Sequence, residues 1–149
     1  MSGPPVYFCF IPGEPVPASR PRVTRWGTYN SKRYKRYKET ATLFMQSANR
    51  SNVPIGHAIA ISVEVVIPRP QKKPRTGLHG LYWKSDEDYP APIGGKWGDL
   101  DNYIKSILDA AQEAKVIVND SQVVEISATK HAGDQPGVHV TICIVDPDD

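Results

Sequence analysis

The chain has 149 residues, 40% hydrophobic and 23% charged, which suits one soluble globular domain and is short for two. Its longest apolar runs, residues 58–61 and 65–67, fall far below the roughly 18–20 residues of a membrane span. No basic stretch followed by an apolar one opens the chain, so a cytoplasmic protein with no membrane association is expected. The net charge of +2 hides an asymmetry: residues 1–75 hold 13 of the 18 Lys and Arg and 3 of the 16 acids, a net of +10, and residues 76–149 carry −8. A basic half and an acidic half suggest one surface for a polyanion and another that gathers carboxylates, unless the fold interleaves them.

Residues 6–11 read as a first strand, stopped by Pro12-Gly13. Residues 12–25 form a proline-punctuated loop with a basic centre, Arg20-Pro21-Arg22, and then Arg25. A helix is expected from about residue 32 to 49. Tyr34, Tyr37, Ala41, Phe44, Met45 and Ala48 recur on one stripe of it, and Lys32, Arg33, Lys35, Arg36 and Lys38 fill its first two turns. Those cations oppose the helix dipole and suit an arriving phosphate. Residues 58–67 are the best strand, with Ile59, Ile61, Val63, Val65 and Ile67 on one face. Residues 69–98 look like a long irregular loop rich in Pro, Gly, Lys and Trp; loops of this length are usually functional or disordered.

A second helix is expected over residues 99–114, burying Leu100, Ile104, Ile107, Leu108 and Ala111. Residues 116–118 suit a short strand or turn. Two strands, 123–130 and 138–145, are joined by a hairpin turn at 132–137. The order β-α-β-loop-α-β-β predicts a single α+β domain over residues 1–149, a small mixed sheet with two helices packed on it. Cys9 and Cys143 lie in strand-like runs with no second Cys nearby, so both read as reduced thiols. His57, His79, His131 and His139 share no metal-ligand spacing.

The most informative segment is Gly98-Asp99-Leu100-Asp101-Asn102-Tyr103-Ile104-Lys105. It brings two carboxylates, an amide and an ammonium to one helix start, and Asp120 follows one helix and one turn later. Mg²⁺ takes oxygen ligands, and a few carboxylates with water and phosphate oxygens satisfy it. Residues two apart do not share a helix face. Asp99 and Asp101 can therefore converge only if Asp99 sits at or before the N-cap, where the backbone is still extended. Local helix physics offers a plainer account: Asp99 as cap, Asp101 as first-turn acid, Lys105 as its i+4 partner, with Asp109 able to share the lysine.

The run from Asp99 to Ala110, followed by Asn119-Asp120-Ser121-Gln122, resembles the signature of the RusA family of Holliday junction resolvases. That signature is D-x-D-N, a lysine one turn on, a Leu-Asp-Ala step, and a later aspartate followed by x-Gln. Pro15-Val16-Pro17-Ala18-Ser19-Arg20-Pro21-Arg22 is similar to the family's proline-basic loop. The likeness spans about residues 6–130. It implies a homodimeric, Mg²⁺-dependent nuclease of phage type, with Mn²⁺ able to substitute, that nicks two strands of a four-way junction. By residue match it makes Asp99, Asp101 and Asp120 the metal-binding carboxylates and Lys105 the essential lysine. Asn119 departs from the family, where a second acid is frequent, and the long 68–98 segment is a second departure.

Arg20, Arg22 and Arg25, the 32–38 cluster, and Arg69, Lys72, Lys73 and Arg75 form three cationic groups suited to phosphate contacts. Lys72-Lys73-Pro74-Arg75 sits in a loop that can reach. Trp26, Tyr29 and Tyr34 are interleaved with the first two groups and are candidates for base stacking or for the core. Two other readings stand beside the nuclease. One is a non-catalytic DNA-binding module with a structural Asp cluster. The other is a nucleotide hydrolase, which needs no such wide cationic surface.

Overall fold

The computed structural model describes residues 2–19, 22–25, 27–29, 31–69 and 98–145. In chain order its elements are β1 (Ser2–Pro12), β2 (Arg22–Thr24), β3 (Gly27–Tyr29), α1 (Lys32–Ala48), β4 (Ile59–Pro68), α2 (Leu100–Glu113), a 3₁₀ turn (Asp120–Gln122), β5 (Val123–Gly133) and β6 (Gly137–Val145). All but the ends of the expected 69–98 loop lies outside the described residues. The short β2–β3 ladder was not expected; it falls where the sequence reads as loop.

The strand with the strongest apolar alternation takes the centre of a four-stranded mixed sheet, in the order β1-β6-β4-β5. On β4, Ile59, Ile61, Val63, Val65 and Ile67 are all buried. β6 runs antiparallel to β4 on one side and β5 runs parallel to it on the other. This corrects the expected hairpin: β5 and β6 are consecutive in sequence but do not pair. The link between them steps across the end of β4, where Pro68 faces Gly133 and Val66 faces Gly137. Two strand spacings are roughly 10 Å, within reach of a link that runs from Gly133 to Gly137. Burial explains the outcome, because the most apolar strand is covered best with a neighbour on each edge.

Both helices pack on one face of the sheet. There Tyr7, Cys9 and Ile11 of β1, the apolar row of β4, and Val138, Val140 and Ile142 of β6 meet Tyr34, Tyr37, Ala41 and Met45 of α1 and Tyr103, Ile107, Ala110 and Ala111 of α2. The Tyr7 hydroxyl donates to the Met45 carbonyl at 2.9 Å, pinning α1 to β1. Two expected stripes are adjusted. Phe44 is largely exposed. On α2 the buried row is Tyr103, Ser106, Ile107, Ala110 and Ala111, and Leu100, Ile104 and Leu108 flank it half-buried. The two alanines let the helix approach closely, and the large Tyr103 ring fills the space at its start.

The other face of the sheet carries Ser62, Glu64, His139, Thr141 and Phe8, with Phe10 stacked on His139 at 4.6 Å between ring centres. Cys9 is on the helix side and Cys143 on this one; both are free thiols. Among the described residues no helix is long and apolar enough to cross a membrane. Because Ile61 is buried on the strand that both β5 and β6 pair with, Ile61→Ala should cost about 2–5 kcal/mol of stability, read as a lowered urea midpoint with unchanged m.

Candidate metal and nucleic-acid site

The start of α2 is held from three directions. Gly98 has φ +69°, a left-handed conformation that suits glycine, and a side chain there would come within 2.8 Å of the Pro17 ring. The Lys130 ammonium donates to the Gly98 carbonyl at 2.9 Å from β5. The Ala18 N–H donates to the Asn102 carbonyl at 2.9 Å. Pro17 and Ala18 of the proline-basic loop thus lie against the start of α2, and the arginines at 20, 22 and 25 follow in sequence.

Asp99 occupies the N-cap with extended backbone, φ −88° and ψ 147°, and its side chain makes no capping bond. Its carbonyl accepts from the Asn102 and Tyr103 N–H groups at 3.0 and 3.3 Å. Asp101 follows in the first turn and is exposed. The plain reading of Asp99 as a side-chain cap therefore does not describe it. Among the described residues no side chain pairs with Asp99 or Asp101. Two partnerless carboxylates sit at the positive end of a helix dipole, which eases their mutual repulsion.

One turn on, Lys105 pairs with Asp109 at 3.5 Å rather than with Asp101. The other oxygen of Asp109 accepts a short hydrogen bond from the Tyr34 hydroxyl of α1. Burial first, then the Asp109 carboxylate, push the Tyr34 phenol above its ordinary range, so it remains a donor. A second cross-helix contact joins Lys38 to Glu113 at 3.6 Å. Both contacts advance together along the two helices, which therefore run in the same direction. Tyr34 is core and ligand to Asp109, not a stacking surface.

Asp120 is presented by a separate device. Asn119 caps the 3₁₀ turn, its side chain accepting from the Ser121 N–H at 2.8 Å. The Gln122 amide makes four bonds. Its oxygen accepts from the Val118 and Asn119 N–H groups at 2.7 and 2.9 Å. Its nitrogen donates to the Ile55 and His57 carbonyls at 2.7 and 2.9 Å. The x-Gln that follows the aspartate is thus a clamp on the turn, and Asn119 does the capping that an acid there would also do. Asp120 is exposed and follows the C-terminal end of α2, whose 14 residues span roughly 20 Å. Among the described residues no three His, Cys, Asp or Glu side chains are grouped to hold a metal ion. Within one chain, then, Asp99 and Asp101 share a location and Asp120 stands apart.

Of the expected phosphate contacts, Arg20, Lys72, Lys73 and Arg75 lie outside the described residues, as does the side chain of Arg22; Arg25 is exposed. On α1, Lys32, Arg33, Lys35 and Arg36 are exposed, and Arg33 reaches Glu14 at 3.2 Å. Arg69 pairs with Asp134 at 2.9 Å. His131 contacts Glu64 at 3.0 Å, away from the carboxylate pair. The residue that sequence reasoning missed is Lys130. Its signal was available: it is in register with Val65 on the helix side of the sheet, where a cation needs a partner.

Removing the Gln122 clamp leaves two N–H and two carbonyl groups without their partner, so Gln122→Ala should cost about 1–3 kcal/mol. The loss should appear as faster hydrogen exchange at Val118 and Asn119 and a lower melting temperature.

The chain is 28% identical over 134 residues to the uncharacterized protein YqaN of Bacillus subtilis (strain 168), covering 87% of this chain and 90% of that protein. A family model described as Endodeoxyribonuclease RusA matches residues 12–143, from the end of β1 through most of β6 and including the whole carboxylate segment. By that match, over nearly its whole length, the chain belongs to the RusA endodeoxyribonuclease family.

Proposed function

We propose that the protein is a Mg²⁺-dependent, structure-selective endodeoxyribonuclease that nicks four-way DNA junctions in pairs. The observation that carries this reading is the carboxylate pair Asp99 and Asp101, without partners among the described residues, beside Pro17 and Ala18 of the proline-basic loop. An all-oxygen donor set at a helix N-terminus fits a hard divalent cation. Bound there, the ion supplies a more acidic water and charge stabilisation at the phosphodiester. Asp99, Asp101 and Asp120 are the ligands, with Mn²⁺ an acceptable substitute. Lys105 stabilises charge on the phosphate or orients the attacking water. The products are 5′-phosphate and 3′-hydroxyl ends. Arg20, Arg22, Arg25, Lys72, Lys73 and Arg75 grip the backbone, so affinity falls steeply with salt.

The position of Asp120 gives the homodimer a catalytic reason. Val118, Val124 and Ile126, on either side of Asp120 in sequence, are 66%, 62% and 48% exposed, and among the described residues β5 is an edge strand that pairs only with β4. A second copy docked there would cover those side chains and that edge. Each centre then takes Asp99 and Asp101 from one copy and Asp120 from the other. A twofold dimer of this kind suits a twofold junction.

The separation of Asp120 within one chain also favours a second reading, a DNA-binding module that does not cut. A labelled four-way junction and a matched linear duplex, incubated in Mg²⁺ and in EDTA, separate the two. Paired nicks confined to the junction, dependent on Mg²⁺ and reduced about 100-fold or more by Asp101→Asn, are expected. Tight binding without cleavage in any divalent metal establishes the module instead. Mixing Asp101→Asn with Asp120→Asn tests the shared centre. A shared site regains partial cleavage, because one centre of each mixed dimer is intact; a site built within one chain regains none.

A further inference from the structure

Asp101, Lys105 and Asp109 stand at four-residue steps along α2, so one ammonium lies between two carboxylates on one helix face. On an isolated helix the acid N-terminal to the lysine is the better-placed partner. The structure shows the reverse: Lys105 pairs with Asp109, and among the described residues no ion pair joins it to Asp101. The cause lies on the neighbouring helix. The Tyr34 ring is buried in the core, and its hydroxyl donates to one Asp109 oxygen while Lys105 approaches the other. Asp109 is therefore a fixed partner, three-quarters covered, for a lysine whose side chain is 63% exposed.

We infer that Asp109 is a positioning residue: anchored by Tyr34, it draws the Lys105 ammonium toward the C-terminal part of α2 and leaves the Asp101 carboxylate open to a divalent cation. The inference rests on the proposal that Asp101 is a metal ligand. Without the Tyr34–Asp109 anchor, Lys105 relaxes onto Asp101 and competes with the cation for the same oxygens. The same contact couples α1, with its exposed Lys32, Lys35 and Arg36, to the site on α2.

The test is Mn²⁺ binding to the full-length protein without DNA, followed by the electron paramagnetic resonance of the free ion. Asp109→Asn should weaken binding about two- to fivefold. Tyr34→Phe, which leaves the net charge unchanged, should weaken it in the same direction by less. In a Lys105→Met background both effects should vanish, because no ammonium remains to fall back; a loss due only to removing a negative charge, or to misfolding, would persist there. Unchanged affinity in both single variants, or an effect of equal size in the Lys105→Met background, overturns the inference. Binding that is insensitive to Asp101→Asn overturns the ligand assignment itself, an outcome visible before any Asp109 variant is compared.

Discussion

Two carboxylates placed two residues apart do not share a face of a regular helix, so at a helix they can address one point where the chain passes from extended to helical backbone. The start of α2 is that place, and much of the surrounding structure serves to hold it there. Asp99 is extended and Leu100 already helical. Gly98 turns left-handed against Pro17, Lys130 grips its carbonyl from β5, and Ala18 bonds to the first helical turn. The two helices and β4 exist for the core. The tethers on either side of Asp99, by contrast, commit a left-handed glycine and a half-buried lysine to a surface feature.

Each element of the signature acquires a separate physical task. The D-x-D spacing marks the extended-to-helical step. The lysine one turn on is close enough to reach the carboxylate pair and is drawn the other way. The aspartate of Leu-Asp-Ala is the partner that draws it, because Tyr34 reaches that residue from α1. The Gln two residues after Asp120 is a fourfold clamp on the turn that exposes the acid.

Period and turn chemistry made both helices, the central strand and the position of Asp99 legible in the sequence. Apolar alternation along β4 reports which face is buried, and the structure buries all five of its residues, with Val66 of the other face buried as well. It does not report which strand lies alongside, so the short β5–β6 link read as a hairpin although it steps over β4. Helical spacing likewise located α2 but placed the stripe one position off, because Tyr103 and two alanines pack more closely than the leucines. Nor does spacing report where Asp120 lies relative to the pair, because the 14 residues of α2 stand between them. Those contacts are set by tertiary packing, to which local propensity is blind.

The opposed charges of the two halves follow the same logic. The fold interleaves them: β1 and β4 of the basic half share a sheet with β5 and β6 of the acidic half, and Lys38 and Arg69 each meet an acid of the other half. The asymmetry survives locally, where α1, with its exposed Lys32, Lys35 and Arg36, packs beside α2 and Lys38 meets Glu113. A polyanion and a carboxylate pair repel each other at close range, and the repulsion grows as water leaves the contact. Basic residues nearby offset it over a distance, but they cannot sit between acid and phosphate without neutralising the acid. A divalent cation attracts both groups at once, and on the proposed reading the pairing of Lys105 with Asp109 leaves the Asp101 carboxylate open to one.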